Sequence, residues 1–249
     1  MVDKDKAFTK AAKYYDRVMQ DFSYQDLVDY LDDLIIENGG ERTNVLSIAC
    51  GTAEELSYFH QLGYQIEGLD ISEGMLEVAR EKLPFAEFHH SNMTNFSLED
   101  KFDNIVSTFD SINYILDDEE LEKCFRSVHK NLNREGLFLF DFNTLYTFIH
   151  EWEGVRSEIG DDYEIIYESK FNYDNMIADV DIRFYMKNED GVDFFEERHR
   201  EKGYTYDMIK KSLIKSGFKV IKIVPFFKKR KGQETNIDRY QVVARKIGD

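Results

Sequence analysis

The run Val45-Leu46-Ser47-Ile48-Ala49-Cys50-Gly51-Thr52-Ala53-Glu54 passes from an apolar strand through a turn of small residues into a helix. Small residues let a backbone approach a ligand closely, and the helix behind them presents unpaired N–H groups at its positive end. The turn is therefore a place for a polar group. The next apolar stretch ends in Gly68-Leu69-Asp70-Ile71-Ser72, which puts the Asp70 carboxylate 19 residues beyond Gly51. An acidic side chain at about that distance is placed to hydrogen-bond ribose hydroxyls, so turn and carboxylate together predict a nucleoside-containing cofactor. Two plainer readings stand beside this one: a purely structural turn, and an Asp70 that, like Ser72, caps the helix that follows. A dinucleotide loop is disfavoured, because a pyrophosphate needs successive glycines where this turn has Gly51 between Ala49 and Ala53.

Further candidates lie outside this turn. Asn113, Tyr114 and Asn143 fall at the carboxyl ends of predicted parallel strands, where ligands bind in open α/β sheets. His199 lies on a predicted strand, where a histidine is more often a packing residue than a base. Tyr14 and Tyr15 could offer a hydroxyl, although a chain with 15 tyrosines packs many of them for area alone. Cys50 and Cys124 form no C-x-x-C pair, so neither zinc nor redox chemistry is expected, and Cys50 reads as a small buried hydrophobe. No metal is called for.

The elements that position these residues follow from periodicity. Apolar residues recur at helical spacing through the first forty residues, from Phe8 to Leu34, and Gly39-Gly40 ends that region. Short strands then alternate with amphipathic helices: strands near Val45 to Ala49, Gln65 to Leu69, Ala86 to His90, Asn104 to Ser107 and Leu137 to Asp141, and helices near Glu54 to Leu62, Gly74 to Leu83 and Glu119 to Leu132. That rhythm predicts an α/β fold with a parallel sheet wrapped by helices. After Asn143 it changes, and Tyr163 to Phe171, Ile177 to Met186 and Val192 to Arg200 read as strands joined by turns, an antiparallel insertion. A helix from Tyr206 to Lys215 and strands near Phe218 to Val224 and Tyr240 to Arg245 close the chain, with the Lys228-Lys229-Arg230-Lys231 cluster expected at a solvated hairpin tip. The expected divisions are a helical cap over 1–42, a cofactor-binding core over 43–145 and 204–249, and an antiparallel lid over 146–203.

With 249 residues, 42% hydrophobic and 33% charged, the chain is long enough for a sizeable core and reads as globular and soluble. A formal net charge of −17 repels a phosphate backbone and argues against nucleic acid as partner. Two cysteines build no disulfide framework, which suits a cytoplasmic protein, and no run approaches the roughly 18 apolar residues of a membrane span.

Taken together, these segments resemble the class I S-adenosylmethionine-dependent methyltransferases over nearly the whole chain. Ser47, Ala49, Gly51 and Ala53 stand at the marked positions of that family's acidic-x-Gly-x-Gly-x-Gly motif; alanine is expected to serve where backbone angles are ordinary, and Ser47 removes a charge. Asp70-Ile71-Ser72-Glu73-Gly74-Met75-Leu76-Glu77-Val78-Ala79-Arg80 is similar to the run after the family's second strand. Ser91-Asn92-Met93 stands where the family commonly frames adenine. Thr108-Phe109-Asp110-Ser111-Ile112-Asn113-Tyr114, the leading Lys13-Tyr14-Tyr15-Asp16 and the later Glu197-Arg198-His199-Arg200 resemble a small-molecule subgroup that includes amino-sugar and glycine N-methyltransferase-like enzymes. The resemblance implies a Rossmann-like, mostly parallel seven-stranded sheet flanked by helices, with an N-terminal helical cap and an antiparallel β insertion after the fifth strand. It implies S-adenosyl-L-methionine as cofactor, bound by Tyr14, Tyr15, Ala49, Cys50, Gly51, Asp70, Ile71, Met75, Asn92, Met93, Thr108 and Phe109, with Tyr14, His199 and Asn113 as candidate catalytic residues. The implied reaction is in-line methyl transfer to nitrogen or oxygen of a small molecule by a monomer or homodimer. The alternatives are a cofactor-binding protein without turnover and, disfavoured by the charge, an RNA or protein methyltransferase.

Overall fold

A computed structural model describes residues 8–226 and 237–248. The Lys228–Lys231 cluster and the first seven residues lie outside the described residues. Two helices lead, α1 (Ala12–Val18) and α2 (Tyr24–Glu37), followed by β1 (Asn44–Ile48), α3 (Glu54–Gln61), β2 (Gln65–Asp70), α4 (Glu73–Lys82), β3 (Glu87–His90), β4 (Phe102–Ser107), α5 (Asp118–Asn131) and β5 (Leu132–Asn143). A short helical stretch opened by α6 (Leu145–Thr147) leads into β6 (Gly154–Ile159), β7 (Tyr163–Asn172), β8 (Ile177–Asn188) and β9 (Gly191–Lys202). Helix α7 (Tyr206–Lys215) and strands β10 (Phe218–Pro225) and β11 (Arg239–Lys246) complete the order.

Seven strands form one sheet in the order β10-β11-β5-β4-β1-β2-β3. β1 to β5 pair parallel, while β11 runs antiparallel to both β5 and β10. The near-continuous burial of β5 from Gly136 to Asn143 marks it as a central strand covered on both faces, which is why it reads as an apolar run rather than an alternation. One hydrophobic cluster packs α5 and α7 against the sheet through Phe125, Phe138, Phe140 and Leu213, and a second packs α2, α3 and α4 through Leu31, Leu56 and Leu76. The helices start where their caps dictate: Ser72 accepts from the Met75 N–H at the head of α4, Asp117 from the Glu119 and Glu120 N–H groups at α5, and Thr205 from the Met208 N–H at α7. The parallel strand order reverses at β1 and β4, so the carboxyl ends of these strands open a crevice.

The antiparallel sheet, β6-β7-β8-β9, follows the fifth strand as expected. Two local expectations are corrected. The leading helical region is two helices, because Ser23 accepts from the Asp26 N–H and so starts α2 afresh after a break that apolar spacing alone does not show. The antiparallel sheet has a fourth strand, β6, whose residues are all exposed; with no buried face it carries no alternation to detect. No helix among the described residues is long and apolar enough to cross a membrane.

Candidate active site

The turn after β1 is built from three left-handed residues in alternation: Ala49 (φ 55°), Gly51 (φ 54°) and Ala53 (φ 59°). This corrects the expectation that the alanines sit at ordinary backbone angles; both hold a conformation that glycine adopts without a Cβ clash. A Cβ built on Gly51 would meet nothing within 4 Å, so the turn faces open space. A Cβ on Gly68 would lie 2.6 Å from the Phe88 ring and 2.8 Å from Cys50 Sγ, which explains the glycine: it lets β2 close on the turn. Burial pushes the Cys50 thiol up, in keeping with a packing role.

Asp70 ties the turn to the next loop. One carboxylate oxygen accepts from the Gly51 N–H at 2.8 Å and the other from the Ser72 N–H at 2.8 Å. Ser72, not Asp70, caps α4. Burial raises the Asp70 carboxyl above its ordinary range, against the pull of those N–H groups. Asn92, beyond β3, accepts from the Thr94 N–H and hydroxyl through its Oδ1, which leaves its Nδ2 as the donor toward a ligand.

A cavity of about 520 Å³ opens on this turn, within the range of small-molecule and cofactor sites. Its walls include Ala49, Cys50, Gly51, Asp70, Ile71 and Met75 from the first two loops, and Asn92, Met93, Thr108 and Phe109 from the next two. The antiparallel sheet covers it with Ile165, Val180, Phe184, His199 and Glu201. Helix α1 supplies Tyr14 and Tyr15. The structure thus brings the candidates of the sequence to one cavity except Asn113 and Asn143.

Asn113 is fully buried and absent from the cavity wall. Its Nδ2 donates to the Asn143 and Lys202 carbonyls, and its Oδ1 accepts from the Asn143 N–H. It fastens the ends of β5 and β9 together, and this corrects its expected catalytic role. Tyr14 is corrected in part: it reaches the cavity wall, but its hydroxyl bonds Asp193 and its ring stacks on Phe195. Tyr15 is the better placed of the two, its hydroxyl pushed up by burial and by the neighbouring Glu55, Asp110 and Asp16 carboxylates.

The helix that carries these tyrosines is latched at both ends. Glu197 on β9 accepts from the Phe8 and Ala11 N–H groups, and Asp16 accepts from the Thr52 hydroxyl at 2.5 Å while pairing with Lys82. Glu197 also lies 2.9 Å from His199 Nε2, and His199 Nδ1 lies 2.7 Å from the Tyr114 hydroxyl. With the Glu197 carboxyl accepting from Nε2, Nδ1 is left to accept the Tyr114 O–H. His199 therefore orients Tyr114, and burial keeps that phenol protonated.

Beside Tyr114 the cavity is acidic. Asp110, in a left-handed conformation (φ 51°), is held by Arg239 at 2.5 Å and by Asn143 Nδ2 at 2.6 Å. Arg239 also pairs with the buried Asp141. Glu201, 3% exposed, is pushed up by burial and by the charge of Asp110, and its Oε2 has no hydrogen-bond partner among the described residues. The sequence reading missed Glu201, although Glu197, His199 and Glu201 alternate along β9 and so share one face. It also missed Glu55. That side chain, 3% exposed, accepts from the Ser47 hydroxyl at 2.7 Å and lines the cavity, and burial pushes its carboxyl up to about 7.

Residues 45–136 match the profile of a family described as a methyltransferase domain. A dTDP-3-amino-3,4,6-trideoxy-α-D-glucopyranose N,N-dimethyltransferase of Streptomyces venezuelae is 35% identical over 109 residues, 44% of this chain and 46% of that protein. A Geobacillus chain provisionally named a methyltransferase is 28% identical over 243 residues, 94% of this chain and 98% of its own length. Among solved structures, an S-adenosylmethionine-dependent methyltransferase of Clostridium acetobutylicum superimposes with a TM-score of 0.86 at 24% identity, over 98% of this chain and 100% of that one, a likeness of fold.

Proposed function

We propose that this chain is a class I S-adenosylmethionine-dependent methyltransferase and transfers methyl groups to the amine nitrogen of a small polar molecule. The cofactor supplies a methyl group activated on a sulfonium, and the protein must align that carbon with a nucleophile and keep water out. The site fits the cofactor: the open space over Gly51, the Asp70 carboxylate for the ribose, and Asn92 with Met93 for the adenine.

The observation that carries the acceptor reading is Glu201, a buried carboxyl with an unpartnered oxygen in the cavity beside Asp110 and Tyr114. A neutral amine becomes positive as it attacks, and the Asp110 carboxylate, with the Glu201 carboxyl oxygens beside it, is a preorganised acceptor for the N–H groups that come to carry the charge. The Tyr114 oxygen, its proton directed to His199, accepts an N–H of the acceptor and fixes its direction. A hydroxyl acceptor would instead need a base to take its proton, and burial favours the protonated forms of the Glu201 carboxyl and the Tyr114 phenol, which cannot accept one. The Streptomyces venezuelae relative, by its name a methyltransferase of an amino sugar nucleotide, supports an acceptor of this class.

The test is turnover with matched pairs of sugar nucleotides that differ only in an amino or a hydroxyl group. S-adenosylhomocysteine formation and a methyl group on nitrogen are expected with the amine, with a drop of at least about tenfold in Glu201→Leu, which removes the acceptor oxygens. Equal methylation of the hydroxyl partner, or full activity in a folded Glu201→Leu, would overturn the reading.

A further inference from the structure

The antiparallel sheet ends in an open strand. β6 pairs with β7 on one side and with no other strand among the described residues, and its whole length is exposed, Val155 at 72% and Ile159 at 73%. Just past β6 the Gly160 N–H donates to the Tyr163 carbonyl of β7 at 3.0 Å, which sets the phase of the ladder. Alternation along the strand then turns the N–H and C=O groups of Gly154, Arg156 and Glu158 toward β7 and those of Val155, Ser157 and Ile159 toward the open edge. Such an edge is a template for another strand unless charge, proline or a covering segment blunts it. Charge is present here, at Arg156 and Glu158, but it is of both signs and in self-complementary order.

We propose that β6 is a homodimer interface, in which two copies of this chain join their antiparallel sheets edge to edge about a twofold axis through Ser157. In that register Arg156 stands opposite Glu158 of the partner subunit, and Val155 opposite Ile159 of the partner subunit, each pair occurring twice by symmetry. Val155, Ser157 and Ile159 supply the hydrogen-bonded pairs, so the ions fall at the non-hydrogen-bonded positions, where opposed side chains lie closest. Within one copy both ions lack a counter-charge among the described residues: Arg156 lies over the Trp152 and Tyr167 rings, and Glu158 accepts from the Tyr163 and Tyr167 hydroxyls. Centring the strands on Arg156 or on Glu158 would set like charges against each other, as would a parallel pairing in register. Arg156 and Glu158 also line the cavity, so in the dimer Glu158 of each copy holds Arg156 of the other at the cavity wall.

The test is sedimentation velocity of the full chain over a concentration series, with variants checked for folding by circular dichroism. The unaltered protein is expected to be a dimer. Arg156→Glu opposes two carboxylates and Glu158→Arg opposes two guanidinium groups, so each variant alone is expected to dissociate at least about tenfold more readily. An equal mixture of the two restores both pairs and is expected to form a heterodimer, a recovery that damage to either chain would not produce. Ser157→Pro removes an N–H directed to the open edge and leaves the β7 ladder intact; it is expected to be a monomer, with Ser157→Ala still a dimer, and this pair decides the matter if the charge variants do not fold. A monomer at every concentration of the unaltered protein would overturn the proposal. So would a dimer that persists in Ser157→Pro, or folded charge variants whose mixture does not associate.

Discussion

A carboxyl buried like that of Glu55, with its pKa pushed from 4.5 to about 7, makes the folded protein hold a proton that the unfolded chain has already released. Between those two values the folded state binds more protons, so stability falls as pH rises, by about 3 kcal/mol once both are passed. Glu55→Gln cannot ionise and keeps the acceptor for Ser47. Without cofactor, the variant is expected to gain on the natural protein as pH rises from about 5 to about 8, and to match it below 4.5, where both states are protonated. Urea denaturation of the two proteins across that range checks it, and parallel curves would contradict the burial argument. At this scale the sequence disclosed Gly51 and Asp70 because their spacing is local. The engagement of Asn113 was hidden because its partners, Asn143 and Lys202, lie 30 and 89 residues away. Glu55 was hidden because nothing in the run from Glu54 to Gln61 marks a buried acid among surface ones.

Helix α1 is an element held by its latches more than by its length. At seven residues it is too short to be stable alone, and its contacts with Glu197, Thr52 and Lys82 place Tyr15 over the turn. Asp16→Ala removes the bonds to Thr52 and Lys82 together. Faster amide exchange confined to α1 and release of S-adenosylhomocysteine several-fold faster are expected, with little change in global stability because these groups are partly exposed. Exchange in α1 as slow as in the natural protein would show that the latch holds nothing. The elements of the sheet were legible within a few residues, as for α7 and β7, because each has one buried face and a marked cap or turn. The exposed β6 and the break before α2 were not, since neither disturbs the apolar spacing.

At the scale of the molecule, the seven-stranded sheet brings the ends of β1, β2, β3 and β4 to one edge, and the antiparallel sheet roofs the crevice they form. The alternation of strands and helices made the sheet foreseeable, and the resemblance to a known family supplied the expectation of its cofactor. The acidic wall was not foreseeable: Asp110, Glu201 and Arg239 meet only after β9 and β11 are in place. The central claim is that the Gly51 turn and Asp70 hold S-adenosylmethionine. Calorimetric titration of the natural protein and Asp70→Ala with S-adenosylmethionine, with NAD as control, tests it most directly. Binding of S-adenosylmethionine and not NAD, weakened by about 1–3 kcal/mol in Asp70→Ala, is the predicted result; binding of NAD instead, or an affinity for S-adenosylmethionine unchanged in the folded variant, would contradict it.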